Sequence, residues 1–237
     1  MSHESAERAT EAARRYYGTS DVDGFYDAVW GGEDIHTGVY AHAHEPVAVA
    51  SRRISETQNE RHRRTNAERG LDALIEVVTG SFQDIPYPAG HFDVVWSQEA
   101  FCHSGDRKEL LGEAVRVLDP EGDLVFTDLM TADDTPADAV HDVLARLGVE
   151  EFATPTFYRR RITELGLTHV DFDDRSDQLL THYLRLTEET ARRAAELRDV
   201  ISPAYLESLQ ENLPLWVNAC RSGRMSWGIF HCRRATR

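Results

Sequence analysis

Two apolar runs separated by one amphipathic stretch dominate the segment from Gly80 to Met130, GSFQDIPYPAGHFDVVWSQEAFCHSGDRKELLGEAVRVLDPEGDLVFTDLM. Phe92 to Trp96 is bounded by turn residues and predicts a short buried strand. Glu109 to Leu118 places Leu110, Leu111, Ala114, Val115, Val117 and Leu118 largely on one side of a helix. Asp119-Pro120-Glu121-Gly122 stops that helix in a turn, and Asp123 to Thr127 follows as a second apolar strand. Strand, helix and strand in this order form a crossover, which is right-handed when the strands are parallel. The class is therefore α/β. Leu74 to Val78, Phe92 to Trp96 and Leu124 to Asp128 are predicted as parallel strands, with His169 to Asp174 and Met225 to Cys232 pairing at an antiparallel edge. Helices are expected up to about Ala28 and over Glu45 to Thr57, Ala137 to Leu147, Phe157 to Leu165, Glu188 to Asp199 and Pro203 to Gly223. The last shows Tyr205, Leu206, Leu209, Leu213, Trp216 and Val217 on one face.

The FDVVWS strand, the RVLDPEG turn and the LVFTD strand resemble those of class I S-adenosylmethionine-dependent methyltransferases. Four further stretches narrow the resemblance: WGGEDIHTGVY at Trp30 to Tyr40, EVVTGSFQDIPY at Glu76 to Tyr87, VVWSQEAFCHSGDR at Val94 to Arg107 and MSWGIFH at Met225 to His231. In that order they are similar to sarcosine/dimethylglycine N-methyltransferases, which complete glycine betaine synthesis. The resemblance implies a Rossmann-like three-layer fold with a helical N-terminal lid over residues 1–45. It implies a methyltransferase domain over 46–237 that carries a helical insertion at about 185–223.

One part of that pattern is missing. The family places a strand, a glycine-rich loop, a helix and a second strand before the segment that corresponds here to Gln58 through Gly70, whereas SRRISET passes directly into QNERHRRTNAERGLDALIEVV. No GxGxG-like loop occurs, nor an acidic residue ending a second strand; these groups ordinarily meet a nucleotide cofactor's backbone and ribose. Two βα units of ordinary length amount to about 40 to 50 residues near Thr57. A natural loss would strip two central strands from a fold built on one sheet, so an omitted segment is favoured over an engineered or natural deletion. A polar helix running unbroken from about Val47 to Glu68 is the competing interpretation.

Composition suits a cytoplasmic enzyme with one main domain: 237 residues, 41% hydrophobic, 28% charged, mean hydropathy −0.49. No stretch is long enough to span a bilayer, and the polar start MSHESAERATEAARRYYG lacks the apolar core of a signal peptide. Cys102, Cys220 and Cys232 are few and odd in number, which fits free thiols, with Cys102 as a small packing residue. A formal charge of −15, from 41 acidic against 26 basic residues, argues against a nucleic-acid partner and suits a salt-rich cytoplasm. The expected partners are a small amine or amino acid, with no nucleic acid and no membrane, the chain acting as a monomer or homodimer.

Methyl transfer from a sulfonium needs no covalent nucleophile; it needs a neutral amine held in line in a dry site. A quaternary product cannot be hydrogen-bonded at nitrogen, so aromatic faces suit it, and a guanidinium suits the carboxylate at the other end. The resemblance implies that Tyr26, Trp30 and His36 close over S-adenosylmethionine, with S-adenosylhomocysteine as the spent form. Ser81 and Phe82 are expected near its adenine. Trp96, Ser97 and Gln98 fall at the carboxyl end of a strand, where open α/β sheets bind ligands, and are expected to meet cofactor or acceptor. Trp96 and His103 are the candidates for positioning or polarising the acceptor, and Tyr158 and Arg159 for binding it. The sequence HAHE at His42, His44 and Glu45 lacks the helical spacing of a zinc site, and no metal is expected.

Overall fold

The structure, a computed structural model, describes residues 59–234 apart from 61, 79, 148 and 150, together with Asp21. The expected lid, the Glu45 to Thr57 helix, HAHE, and the predicted site residues Tyr26, Trp30 and His36 lie outside the described residues. Residues 62–68 are helical, and the ordered sequence of elements then runs β1 (Phe92–Gln98), α1 (Arg107–Val117), β2 (Leu118–Thr131), α2 (His141–Leu147), α3 (Pro155–Glu164), β3 (His169–Asp174), α4 (Ser176–Arg192), α5 (Ala194–Leu197), α6 (Pro203–Arg221) and β4 (Met225–Arg233).

The four strands form one sheet in the order β1-β2-β4-β3. β1 and β2 are parallel, with Val94 opposite Asp123 and Gln98 opposite Thr127. β4 runs antiparallel to both β2 and β3, so the expected antiparallel pair forms with β3 outermost. Helix ends follow from local chemistry. Asp106 caps α1 by accepting from the Lys108 and Glu109 amides at 2.9 and 3.1 Å. Thr154 caps α3 and Ser202 caps α6, each followed by a proline whose missing N–H costs nothing at a helix start.

Alternation along the strands sorts side chains into two cores. Leu124, Phe126 and Met130 of β2 and Phe230 and Cys232 of β4 pack with Leu110, Leu111, Tyr158 and Ile162 of α1 and α3. Met225 joins Tyr183, Leu186, Leu213 and Trp216 of α4 and α6, with Leu129 and Trp227 packed against this second cluster. The apolar side predicted for α1 is buried in full, Leu118 included.

Three sequence expectations need correction. Asp119 to Gly122 does not separate helix from strand: β2 pairs with β1 at Leu118 already and again from Asp123, so the tetrapeptide is a bulge inside the strand. The Asp119 carboxylate accepts from the Glu121 amide at 2.8 Å, which is the turn chemistry the sequence announced. A side-chain carbon on Gly122 would stand 2.6 Å from the Asp93 carbonyl oxygen, so only glycine fits there. Second, Leu74 to Val78 forms no strand; Leu74 sits in a turn and Leu74, Ile75 and Val78 are exposed. A strand of a parallel sheet depends on neighbours covering both faces, and among the described residues this one has no pairing partner. Third, the helix expected over Glu188 to Asp199 begins at Ser176, because Leu179, Tyr183, Leu186 and Thr190 already repeat on one face.

Candidate functional site

β1 and β2 run side by side to one end of the sheet, and the chain leaves β1 there by an abrupt reversal. Glu99 takes φ +50, the only positive value at a described non-glycine residue, and its amide donates to the Thr127 carbonyl at 2.9 Å. A 3-10 turn, Phe101–His103, follows and rests on a buried polar floor. Asp128, fully buried near the end of β2, accepts from the Cys102 amide at 3.0 Å and from the Tyr158 phenol at 2.5 Å. The Arg107 guanidinium ties the turn to the next loop through the carbonyls of Cys102 at 3.0 Å and Glu151 at 2.6 Å. Burial pushes the Asp128 carboxyl up to about 6, against the opposing pull of the Tyr158 bond and Arg107. Burial likewise raises the Cys102 thiol well above its usual range, so it stays protonated as a packing group.

Trp96, Ser97, Gln98 and His103 all lie on this one segment, as the sequence led us to expect. Trp96 is 63% exposed, and Gln98 is also exposed. The Ser97 hydroxyl is buried without a hydrogen-bond partner, as is that of Thr127 one residue before Asp128. Ser81 and Phe82 stand apart, on a tight turn in which the Ser81 carbonyl and hydroxyl accept from the Asp84 and Gln83 amides at 3.0 and 3.1 Å. That turn is anchored to α1: the Arg116 guanidinium donates to the Ile85 and Tyr87 carbonyls, and Glu113 accepts from the Ile85 amide. The paired guanidinium at 2.6 Å holds the Glu113 carboxyl down at about 2.

Tyr158 and Arg159 are not brought to the surface of this site. Tyr158 is fully buried beneath the 3-10 turn with its hydroxyl committed to Asp128, and Arg159 turns the other way, its guanidinium 5.6 Å from the Phe172 ring on β3. A groove of about 310 Å³ lined by Asp138, His141, Leu215, Asn218 and Arg224 contains none of the predicted residues.

Sequence reasoning overlooked three participants: Glu99, Asp128 and Trp227. All lie in motifs that drew attention, WSQEAFCH, LVFTDL and MSWGIFH, but Asp128 acts through Cys102 and Tyr158, and Glu99 and Trp227 through a contact across 128 residues. The Trp227 indole N–H donates to the Glu99 carboxylate at 3.1 Å. An acidic residue directly after a strand predicted to end at the ligand face was the available signal.

The residues present fit one side of a two-substrate site. The strand-end segment offers a carboxylate, an indole, amide and hydroxyl groups. Among the described residues the nucleotide-holding side is not matched: the sequence has no glycine-rich loop, and β1 is the outermost described strand, with Val94 and Trp96 exposed.

A methyltransferase domain model matches residues 32–126. The sarcosine/dimethylglycine N-methyltransferase of Halorhodospira halochloris is 39% identical over 272 aligned positions, covering 96% of this chain and 98% of that one. Because this chain has 237 residues, at least 35 of those positions have no counterpart in it. A solved structure from Galdieria sulphuraria, assigned as a sarcosine dimethylglycine methyltransferase, superposes with a TM-score of 0.75 at 28% identity over 91% of this chain and 98% of its own. The fold is shared also with phosphoethanolamine N-methyltransferase 2 of Haemonchus contortus, solved with phosphomonomethylethanolamine and S-adenosylhomocysteine, at a TM-score of 0.70 and 12% identity over 94% of this chain and 60% of that one. Identity of this level along nearly the whole of both chains shows that the protein belongs to the sarcosine/dimethylglycine N-methyltransferase family.

Proposed function

We propose that this chain is an S-adenosylmethionine-dependent N-methyltransferase of the cytoplasm that takes sarcosine and dimethylglycine to glycine betaine. The observation that carries this reading is the match to the Halorhodospira halochloris enzyme along almost its entire length. The strand-end segment supports it: Trp96, Ser97, Gln98 and His103 stand where a parallel sheet presents ligands, over a floor fixed by Asp128, Tyr158 and Arg107. Trp96 and His103 are the residues assigned to acceptor positioning, with Ser97 and Gln98 toward the methyl donor. Incubating the full chain with isotopically labelled S-adenosylmethionine and either amine tests the activity; labelled dimethylglycine and betaine are the expected products.

A second reading rests on the 35 or more unmatched positions and on β1 having no outer neighbour among the described residues. On that reading the chain retains amine binding and has lost methyl transfer. An intact mass of 26.8 kDa together with no heat on titrating S-adenosylmethionine, while dimethylglycine still binds, would decide for it.

A further inference from the structure

Glu99 combines features that ordinary folding does not require. Its backbone holds a left-handed conformation that costs a non-glycine residue about 1 kcal/mol, and such strain concentrates at functional positions. Its side chain is exposed, yet its carboxyl is raised above the usual range by the protein crowding around it. Among the described residues no lysine, arginine or histidine forms an ion pair with it; its one side-chain partner is the neutral Trp227 indole N–H at 3.1 Å.

That indole is itself fixed. Trp227 packs against the α4 and α6 cluster, its carbonyl accepts from the Arg175 amide at 2.9 Å, and its amide donates to the Ser176 hydroxyl at 3.1 Å. The carboxylate therefore has one oxygen occupied by the tryptophan, while the other has no partner among the described residues. A carboxylate with one oxygen open and no counter-ion among the described residues, beside an aromatic ring, has the chemistry that recognises a small organic cation.

We infer that Glu99, steadied by Trp227, is the seat of the acceptor's cationic nitrogen. The assignment rests on the acceptor reading above for the identity of the amine, though not for the presence of a cation seat. Glu99 is then a substrate-binding residue, and Trp227 a positioning residue that keeps one carboxylate oxygen aimed and walls the seat. The seat lies on the same strand end as Trp96 and His103 and needs nothing from the nucleotide side.

Calorimetric titration of the full chain with tetramethylammonium, dimethylglycine and 3,3-dimethylbutyrate, the uncharged-centre isostere of glycine betaine, tests this. Glu99→Gln keeps the shape and the acceptor for the Trp227 N–H while removing the charge. It is expected to weaken tetramethylammonium and dimethylglycine at least about tenfold and to leave 3,3-dimethylbutyrate unchanged. Trp227→Phe, which retains an aromatic wall but frees the carboxylate, is expected to weaken the two cations by a smaller factor and again spare the isostere. Should Glu99→Gln fail to fold by circular dichroism, Glu99→Asn, suited to the left-handed backbone, replaces it. Equal cation affinity in wild type and the folded charge-removed variant overturns the inference, as does absence of cation binding by the wild type. Tetramethylammonium binding that depends on Glu99, with no binding of dimethylglycine, upholds the seat and overturns the acceptor reading instead.

Discussion

The phenol of Tyr158 on α3 donates to the carboxylate of Asp128 on β2 at 2.5 Å, and both side chains are fully buried. This bond fixes the polar floor on which the Phe101–His103 turn rests, because the other Asp128 oxygen accepts from the Cys102 amide. It also has a pH signature. The carboxyl is raised from 3.8 to about 6 by burial, so the folded state binds this proton more tightly than the unfolded chain does. Stability should therefore fall as pH rises from about 4 through 6, by on the order of 3 kcal/mol from this group. Urea unfolding at several pH values should show that loss in wild type and not in Asp128→Asn. Tyr158→Phe should cost about 1.5–3 kcal/mol at neutral pH, since it removes a donor from a buried carboxylate.

Glu113 behaves oppositely. Its carboxyl is depressed to about 2 by the Arg116 guanidinium and the Ile85 amide, so its contribution is present above the ordinary carboxylate range and is lost as pH falls through about 2. The pair is half-buried, and its effect is local: it holds the turn that carries Ser81 and Phe82. Glu113→Gln should speed amide hydrogen exchange across residues 81–90 at least about tenfold at neutral pH while leaving β2 and β4 protected.

Gly122→Ala should destabilise the protein by about 1–3 kcal/mol, because the added carbon meets the Asp93 carbonyl on the neighbouring strand. Thermal melts of the variant beside wild type measure it.

β1 is the outermost strand among the described residues and presents Val94 and Trp96, at 54% and 63% exposure. Such an edge invites pairing between copies, and a lysine on it discourages that. Val94→Lys should reduce concentration-dependent self-association in sedimentation velocity without shifting the melting temperature by more than a few degrees.

The elements whose partners lie close in sequence were readable in advance. α1 declared itself by a run of leucine, alanine and valine on one side, and β1 and β2 by apolar runs between turns. Long-range pairing of β3 with β4 followed from their place in the family pattern. What failed did so where the decisive neighbour was distant or missing: Leu74 to Val78 has strand residues but no described strand to pair with, and Asp119 to Gly122 has turn residues that a parallel neighbour draws into a bulge. For the site, the segment was legible and the key contact was not. Residue types marked Trp96 to His103, whereas the left-handed backbone of Glu99 and its bond to Trp227 exist only once β4 lies across β2. Tyr158 was expected to bind the acceptor, whereas its phenol serves the floor.

The sheet's asymmetry has a bearing on how such a protein can change over time. Both cores are assembled mainly from β2, β4 and the helices that pack on them, with Val95 of β1 resting against one of them. Substitutions on β2 or β4 therefore press on the packed cores, whereas the outward side chains of β1, Val94 and Trp96, touch neither cluster. Drift is accordingly expected to be tolerated at an outward position of β1 such as Val94 and resisted along β2 and β4.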